Sequence, residues 1–301
     1  MKRSVERALA SPLVTRFTAR RVRGGSLVLA YHGIVPSSAG DTVGAGERAL
    51  FVRQADFARQ LDMLSAVADV VPITHIDHAV SARPRVAITF DDAYQGAVTA
   101  AVDELVARNL PATIFVAPGR LNGHVFWWDA LGDATRELDA RLRDHALTEL
   151  AGADERVRAW AATSGIVARD NLPAYARAAS SAELATAAAR PGITLGSHTW
   201  SHPNLTRLAA PDLQQELVRS LQWVRTEFAT RAVSWLAYPY GLESEIVRAA
   251  ALAAGYDGAL RIDGGWQRGP LESPFARPRL NVGAGMSVHG LRARVCGAWS
   301  G

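Results

Sequence analysis

Apolar residues along the chain gather into short runs rich in β-formers at Ser26–Tyr31, Asp69–Ile73, Arg85–Phe90, Ala112–Ala117, Ile193–Gly196, Val233–Tyr238 and Gly258–Ile262. Runs of this length, bounded by turn-forming residues, predict buried strands. Between several of them the apolar positions recur every three or four residues, which predicts helices over Gln54–Ala68, Tyr94–Asn109, Pro211–Ala229 and Leu242–Ala254. Pro211 and Asp212 suit a helix start, and Gly255 suits a helix end. Such alternation predicts parallel strands joined by crossover helices, an arrangement met equally by a barrel or an open doubly wound sheet. From about residue 121 to 191 the rhythm breaks into an alanine-rich stretch of mixed charge, read as a mostly helical insertion. It opens with Phe126-Trp127-Trp128-Asp129, a cluster that either anchors the insertion or lines a ligand site by stacking.

Composition narrows the class. With 301 residues, 49% of them hydrophobic, the chain can bury a sizeable core, so one main domain over 26–301 with additions is expected. The lone Cys296 has no intramolecular partner and favours reducing surroundings. The net charge of +4 is unevenly placed. Lys2, Arg3, Arg7, Arg16, Arg20, Arg21 and Arg23 face only Glu6, giving residues 1–25 a basic arm whose apolar positions can share a helical face kinked at Pro12. The arm is expected to pack on the domain with its arginines in water, although a basic amphipathic helix could also touch anionic lipid. No aromatic–basic interleaving argues for nucleic acid. The uncharged stretch is too short and proline-broken for a signal peptide, and no run is long enough to span a bilayer, so a cytoplasmic protein, at most peripheral at the inner membrane face, is expected. Nothing in the pattern speaks to oligomeric state.

Three segments carry chemistry. Thr89-Phe90-Asp91-Asp92 ends an almost wholly apolar strand, where two adjacent carboxylates repel unless a cation compensates them. An N-capping turn is the ordinary alternative. Ser197-His198-Thr199-Trp200-Ser201-His202-Pro203 places histidines four apart, so that one helical turn would aim both at one ion. Ala237-Tyr238-Pro239-Tyr240-Gly241 ends a further strand, either as a plain turn or as a backbone N–H site for an oxyanion.

In this order and at strand ends, the three segments resemble the signature of the polysaccharide deacetylase (NodB-homology, carbohydrate esterase family 4-like) family, and Leu27-Val28-Leu29-Ala30-Tyr31-His32-Gly33 resembles the early Tyr-His strand of many bacterial members. The resemblance implies an α/β fold, a distorted (β/α) barrel of about seven strands, with its site at the C-terminal strand ends. It implies a divalent metal on Asp92, His198 and His202, with zinc foremost and cobalt, nickel or manganese also accepted by such ligands. Asp91 would be the general base and the Tyr240 backbone N–H the oxyanion donor, in a hydrolysis releasing acetate from an N-acetylated carbohydrate. Trp128, Pro239 and Trp200 would contact the sugar. The chain departs from the family where many members carry an arginine two residues before the motif proline: it has Ala237, so Arg279 is the candidate to orient the base. The late histidine of the family is matched only by the poorly placed His289, so His32 is the candidate acid. Two rival readings stay open: a carbohydrate-binding relic that has lost catalysis, and a metal-dependent amidase or imidase on a non-sugar substrate.

Overall fold

A computed structural model describes residues 2–39, 50–77, 83–132, 138–169, 171–262, 264–269 and 271–299. Its strands are β1 (Ser26–Tyr31), β2 (Gly33–Val35), β3 (Phe51–Arg53), β4 (Asp69–Val70), β5 (Arg85–Phe90), β6 (Ala112–Val116), β7 (Ile193–Ser197), β8 (Ala232–Ala237), β9 (Gly258–Leu260) and β10 (Arg279–Asn281). The helices are α1 (Lys2–Leu9), α2 (Pro12–Thr18), α3 (Gln54–Val67), α4 (Val102–Ala107, entered through a π-helical turn at Ala97–Ala101), α5 (Trp127–Leu131), α6 (Ala140–Thr148), α7 (Asp154–Thr163), α8 (Ser181–Ala188), α9 (Ala210–Phe228), α10 (Glu245–Ala254) and α11 (Val288–Val295).

The main sheet runs β10-β1-β5-β6-β7-β8-β9, every pairing parallel, with β4 beside the start of β5. A parallel bridge between Leu260 and Arg277 links β9 to the segment entering β10 and nearly closes the ring. The sheet is therefore a distorted (β/α) barrel rather than an open sheet. β2 and β3 form a separate parallel pair above it.

Because side chains alternate along a strand, each barrel strand fills two different cores. Val28, Ala87, Phe115, Val233, Trp235, Ala237 and Leu260 point into the barrel, whereas Leu27, Leu29, Tyr31, Val86, Ile88, Phe90, Ile114 and Leu195 point out to the helices. This double burial explains why the strands read as continuous apolar runs. The expected strand at Asp69–Ile73 is cut to two residues: Ile73 and Ile76, on a 3₁₀ turn, join the barrel core instead. Several predicted boundaries hold, with Pro211 in the first turn of α9 and Gly255 closing α10 at φ 93°. β10 was not predicted. The insertion is helical as expected, with a small core of Trp127, Leu131, Ala146, Leu147, Val157 and Ala161.

Barrel strands must leave room for their inward neighbours. A Cβ on Gly196 of β7 would stand 2.5 Å from a ring carbon of Phe115. Gly196→Ala is expected to destabilise the fold by about 1–3 kcal/mol through overpacking, with Phe115→Leu restoring part of the loss; equal urea midpoints for Gly196→Ala and the parent would refute it.

Candidate active site

The site is assembled from loops that leave the C-terminal ends of β1, β5, β7, β8 and β10 around a cavity of about 310 Å³ lined by His32, Asp91, Asp92, His198, His202, Tyr240 and Asn281 among others. Inward alternation on β5 carries Ala87, Thr89 and then Asp91 to the barrel axis. The chain then turns sharply, with Asp92 at φ 68° and Ala93 at φ 51°, so that the second carboxylate also enters the cavity. The histidine loop does the same without a helix. Thr199 at φ 65° and His202 at φ 62° are left-handed, and Thr199 Oγ1 accepts the His202 N–H at 3.1 Å. The helical turn expected from the four-residue spacing is thus replaced by a strained loop that reaches the same convergence. Tyr240 is left-handed as well, at φ 60°. Left-handed backbone at non-glycine residues costs on the order of 1–3 kcal/mol each and persists where packing over-determines it. Five of the eight such residues described lie in these three loops.

Asp92, His198 and His202 are buried and bring one ligand atom each within 4.8 Å of one another. Asp92 Oδ1 lies 3.5 Å from His198 Nε2 and 3.3 Å from His202 Nε2, and the two Nε2 atoms are 3.1 Å apart. His198 Nδ1 sits 2.7 Å from the Ala237 carbonyl; a carbonyl only accepts, so Nδ1 carries the proton and Nε2 offers its lone pair to the cavity. Burial, then the charges of Asp91 and Asp129, push the Asp92 carboxyl well above its ordinary range, and burial holds both histidines below theirs. Asp92 Oδ1 has no hydrogen-bond donor. A buried carboxylate oxygen without a donor and two imidazole nitrogens converging on it fit a divalent cation, and the second-atom support on His198 is what metal-binding histidines usually receive.

Asp91 is treated in the opposite way. Arg279, fully buried, donates from Nη1 and Nη2 to the two carboxylate oxygens at 2.7 Å each, and from Nη1 to Thr89 Oγ1 at 3.3 Å. Burial alone would raise the Asp91 carboxyl, but the Arg279 guanidinium, helped by His198 and His32, overrides it and holds the group well below the carboxylate range. Two neighbouring aspartates are thereby driven apart in character, one held as an anion and one favouring its protonated form. Arg279 stands in register with Val28, which pairs with Ala87, so its side chain rises from one layer below the cavity. It comes from β10, which only β9 separates from Ala237 on β8 across the nearly closed seam. His32 Nε2 is 3.9 Å from Asp91 Oδ2, and burial lowers its pKa to about 4.

The aromatic wall comes from the insertion. Trp128 lines the cavity, its ring 4.6 Å from the stacked Phe126 and 4.9 Å from His202, and its indole N–H donates to the Tyr94 hydroxyl. Trp127 donates to the Tyr240 hydroxyl, which donates to the Gly152 carbonyl, pinning the loop after β8 to the insertion. Pro239 is buried behind that turn. Trp200 is not brought to the cavity: the Arg219 guanidinium covers its ring at 3.5 Å and its carbonyl accepts the Gly119 N–H. His289 lies on α11, outside the cavity lining. Leu138, Arg143, Ile262 and Asn281 line the cavity without having been singled out, since no local motif marks them.

The family profile described as polysaccharide deacetylase matches residues 79–259, more than half of the chain. The chain belongs to the polysaccharide deacetylase family. Membership brings hydrolytic deacetylase chemistry on carbohydrates. No curated protein matches the sequence. Among solved structures, the Streptococcus pyogenes deacetylase PplD in complex with acetate is 16% identical, over 91% of this chain and 99% of its own, with a TM-score of 0.61. BC0361, a polysaccharide deacetylase from Bacillus cereus, is 17% identical over 91% and 69%, with a TM-score of 0.57. IcaB from Ammonifex degensii is 18% identical over 91% and 97%, with a TM-score of 0.56. At these identities the structures establish a shared barrel fold.

Proposed function

We propose that this polysaccharide deacetylase removes N-acetyl groups from an amino sugar and depends on a divalent metal, with zinc the first choice. The observation that carries the reading is the pairing of a converging, buried Asp92–His198–His202 cluster with an Asp91 fixed as an anion by Arg279, both in one cavity walled by Trp128. Asp92, His198 and His202 would hold the ion. When bound, it supplies Lewis-acid polarisation of the acetamide carbonyl and lowers the pKa of water. Asp91 takes the proton from the attacking water as the general base, with Arg279 fixing the orientation of its carboxylate. The left-handed turn at Tyr240 presents its N–H to the developing oxyanion. His32 is held neutral by burial, so the proton it gives to the departing amine is gained during the reaction, and Asp91 at 3.9 Å is the source. The products are acetate and a free amine.

The test is acetate release from a panel of N-acetylated amino sugars and oligosaccharides, comparing zinc-loaded protein, chelated protein and Asp91→Asn. Release that needs the metal and is lost in Asp91→Asn, with metal still bound, is expected. Stoichiometric metal without release from any sugar would instead favour a binding relic or a non-sugar amidase.

A further inference from the structure

Residues 3–23 form a surface that the catalytic reading does not use. α1 packs against α11, and Ala10, Thr15, Thr18 and Val22 turn inward and are buried. Glu6, the only acid in this segment, is also buried and accepts a hydrogen bond from the Ser287 hydroxyl at 2.6 Å. What remains outside is one-sided. Arg3, Arg7, Arg16, Arg20, Arg21 and Arg23 are exposed, and among the described residues none of them forms an ion pair. Between them stand large apolar side chains in water: Leu13 is 84% exposed, Phe17 64% and Val5 47%. Leu13 and Phe17 are one helical turn apart on α2, with Arg16 beside them and Arg20 one turn further, so apolar and cationic groups share a face.

We propose that this face docks the protein onto an anionic lipid bilayer, with Leu13 and Phe17 entering the acyl boundary and the arginines meeting lipid phosphates. Each half of the pattern alone has a plainer explanation, since scattered exposed apolar residues are common and arginines are ordinarily solvated. Their combination on a surface stripped of its only acid matches an interfacial helix, which needs both apolar burial and electrostatic attraction. Ile246 and Leu252 on α10 are comparably exposed, but they lie near Glu243 and Glu245 and lack such a cationic frame. A nucleic acid would use the arginines and leave Leu13 and Phe17 without a role. Among the described residues no helix is long and apolar enough to cross a membrane, so the contact is peripheral.

Co-sedimentation of the full chain with vesicles of pure phosphatidylcholine and pure phosphatidylglycerol tests this. Binding to phosphatidylglycerol alone, weakening as salt rises, is expected. Leu13→Ser/Phe17→Ser should weaken it on the order of 100-fold, and Arg16→Ala/Arg20→Ala on the order of tenfold, with unfolding midpoints unchanged because these side chains are exposed. The proposal is overturned if phosphatidylglycerol vesicles bring down no protein, or if both lipids do so equally. It is also overturned if Leu13→Ser/Phe17→Ser keeps full affinity and duplex DNA competes, which would make the arm a polyanion site.

Discussion

Arg279→Leu, measured in chelator, is expected to lower stability by about 3–5 kcal/mol, because it leaves Asp91 as a buried charge stripped of its two strongest hydrogen bonds. The pH dependence identifies the cause. In the parent, the depressed Asp91 carboxyl contributes stability that is present above its unfolded value of 3.8 and is lost as pH falls through the folded value. In the variant only His198 and His32 oppose burial, so the carboxyl titrates higher than in the parent and contributes less stability as pH rises. The gap between the two proteins therefore widens from acid to neutral pH. Asp91→Asn/Arg279→Leu should recover much of the loss by removing the orphaned charge. Urea denaturation of the parent and the two variants at about pH 3 and pH 7, on either side of the unfolded carboxyl value, decides the matter. A loss below about 1 kcal/mol at neutral pH would mean that the pair is not what holds Asp91.

Asp92→Asn should separate stability from metal binding. In chelator, Asp92 is a buried carboxyl pushed upward by burial and by Asp91, with one oxygen lacking a donor. A folded pKa above the unfolded 3.8 means that the native state binds more protons, so this group takes stability away as pH rises above 3.8. Asparagine removes the charge, keeps the shape and adopts the left-handed backbone at φ 68° at lower cost than alanine. The metal-free variant is expected to be more stable than the parent at neutral pH by about 1–3 kcal/mol. Zinc, which should raise the parent's unfolding temperature strongly, should raise the variant's little. Calorimetry with and without zinc reads both effects. A parent whose unfolding temperature zinc leaves unmoved would remove the case for a metal at these residues.

The parts of this site legible in the sequence were those whose function needs residues close together in the chain. Asp91 with Asp92, and His198 with His202, sit on single loops, and the runs ahead of them announced strands because both faces of each are buried. Arg279 was harder. β10 is three residues long with a charged inward residue, so hydrophobic periodicity passes over it, and only the missing arginine at Ala237 pointed there. Trp200 was misjudged because its neighbours in sequence are ligand candidates, whereas the left-handed Thr199 turns the loop and sends the indole out under Arg219. Arg143 and Leu138 reach the cavity through the tertiary placement of the insertion, which no local pattern encodes.

The guanidinium that neutralises Asp91 arrives 188 residues after it in the chain. During synthesis, a nascent chain that has already made β1 through β9 still lacks the counter-charge for the carboxylate at its centre. A buried anion without a partner is costly enough to keep that interior hydrated. Closing the ring and drying it should thus be one late event, triggered when the last strand slots beside the first. Ribosome-bound intermediates ending before Arg279 would then remain loosely packed and dependent on chaperones, whatever their helical content.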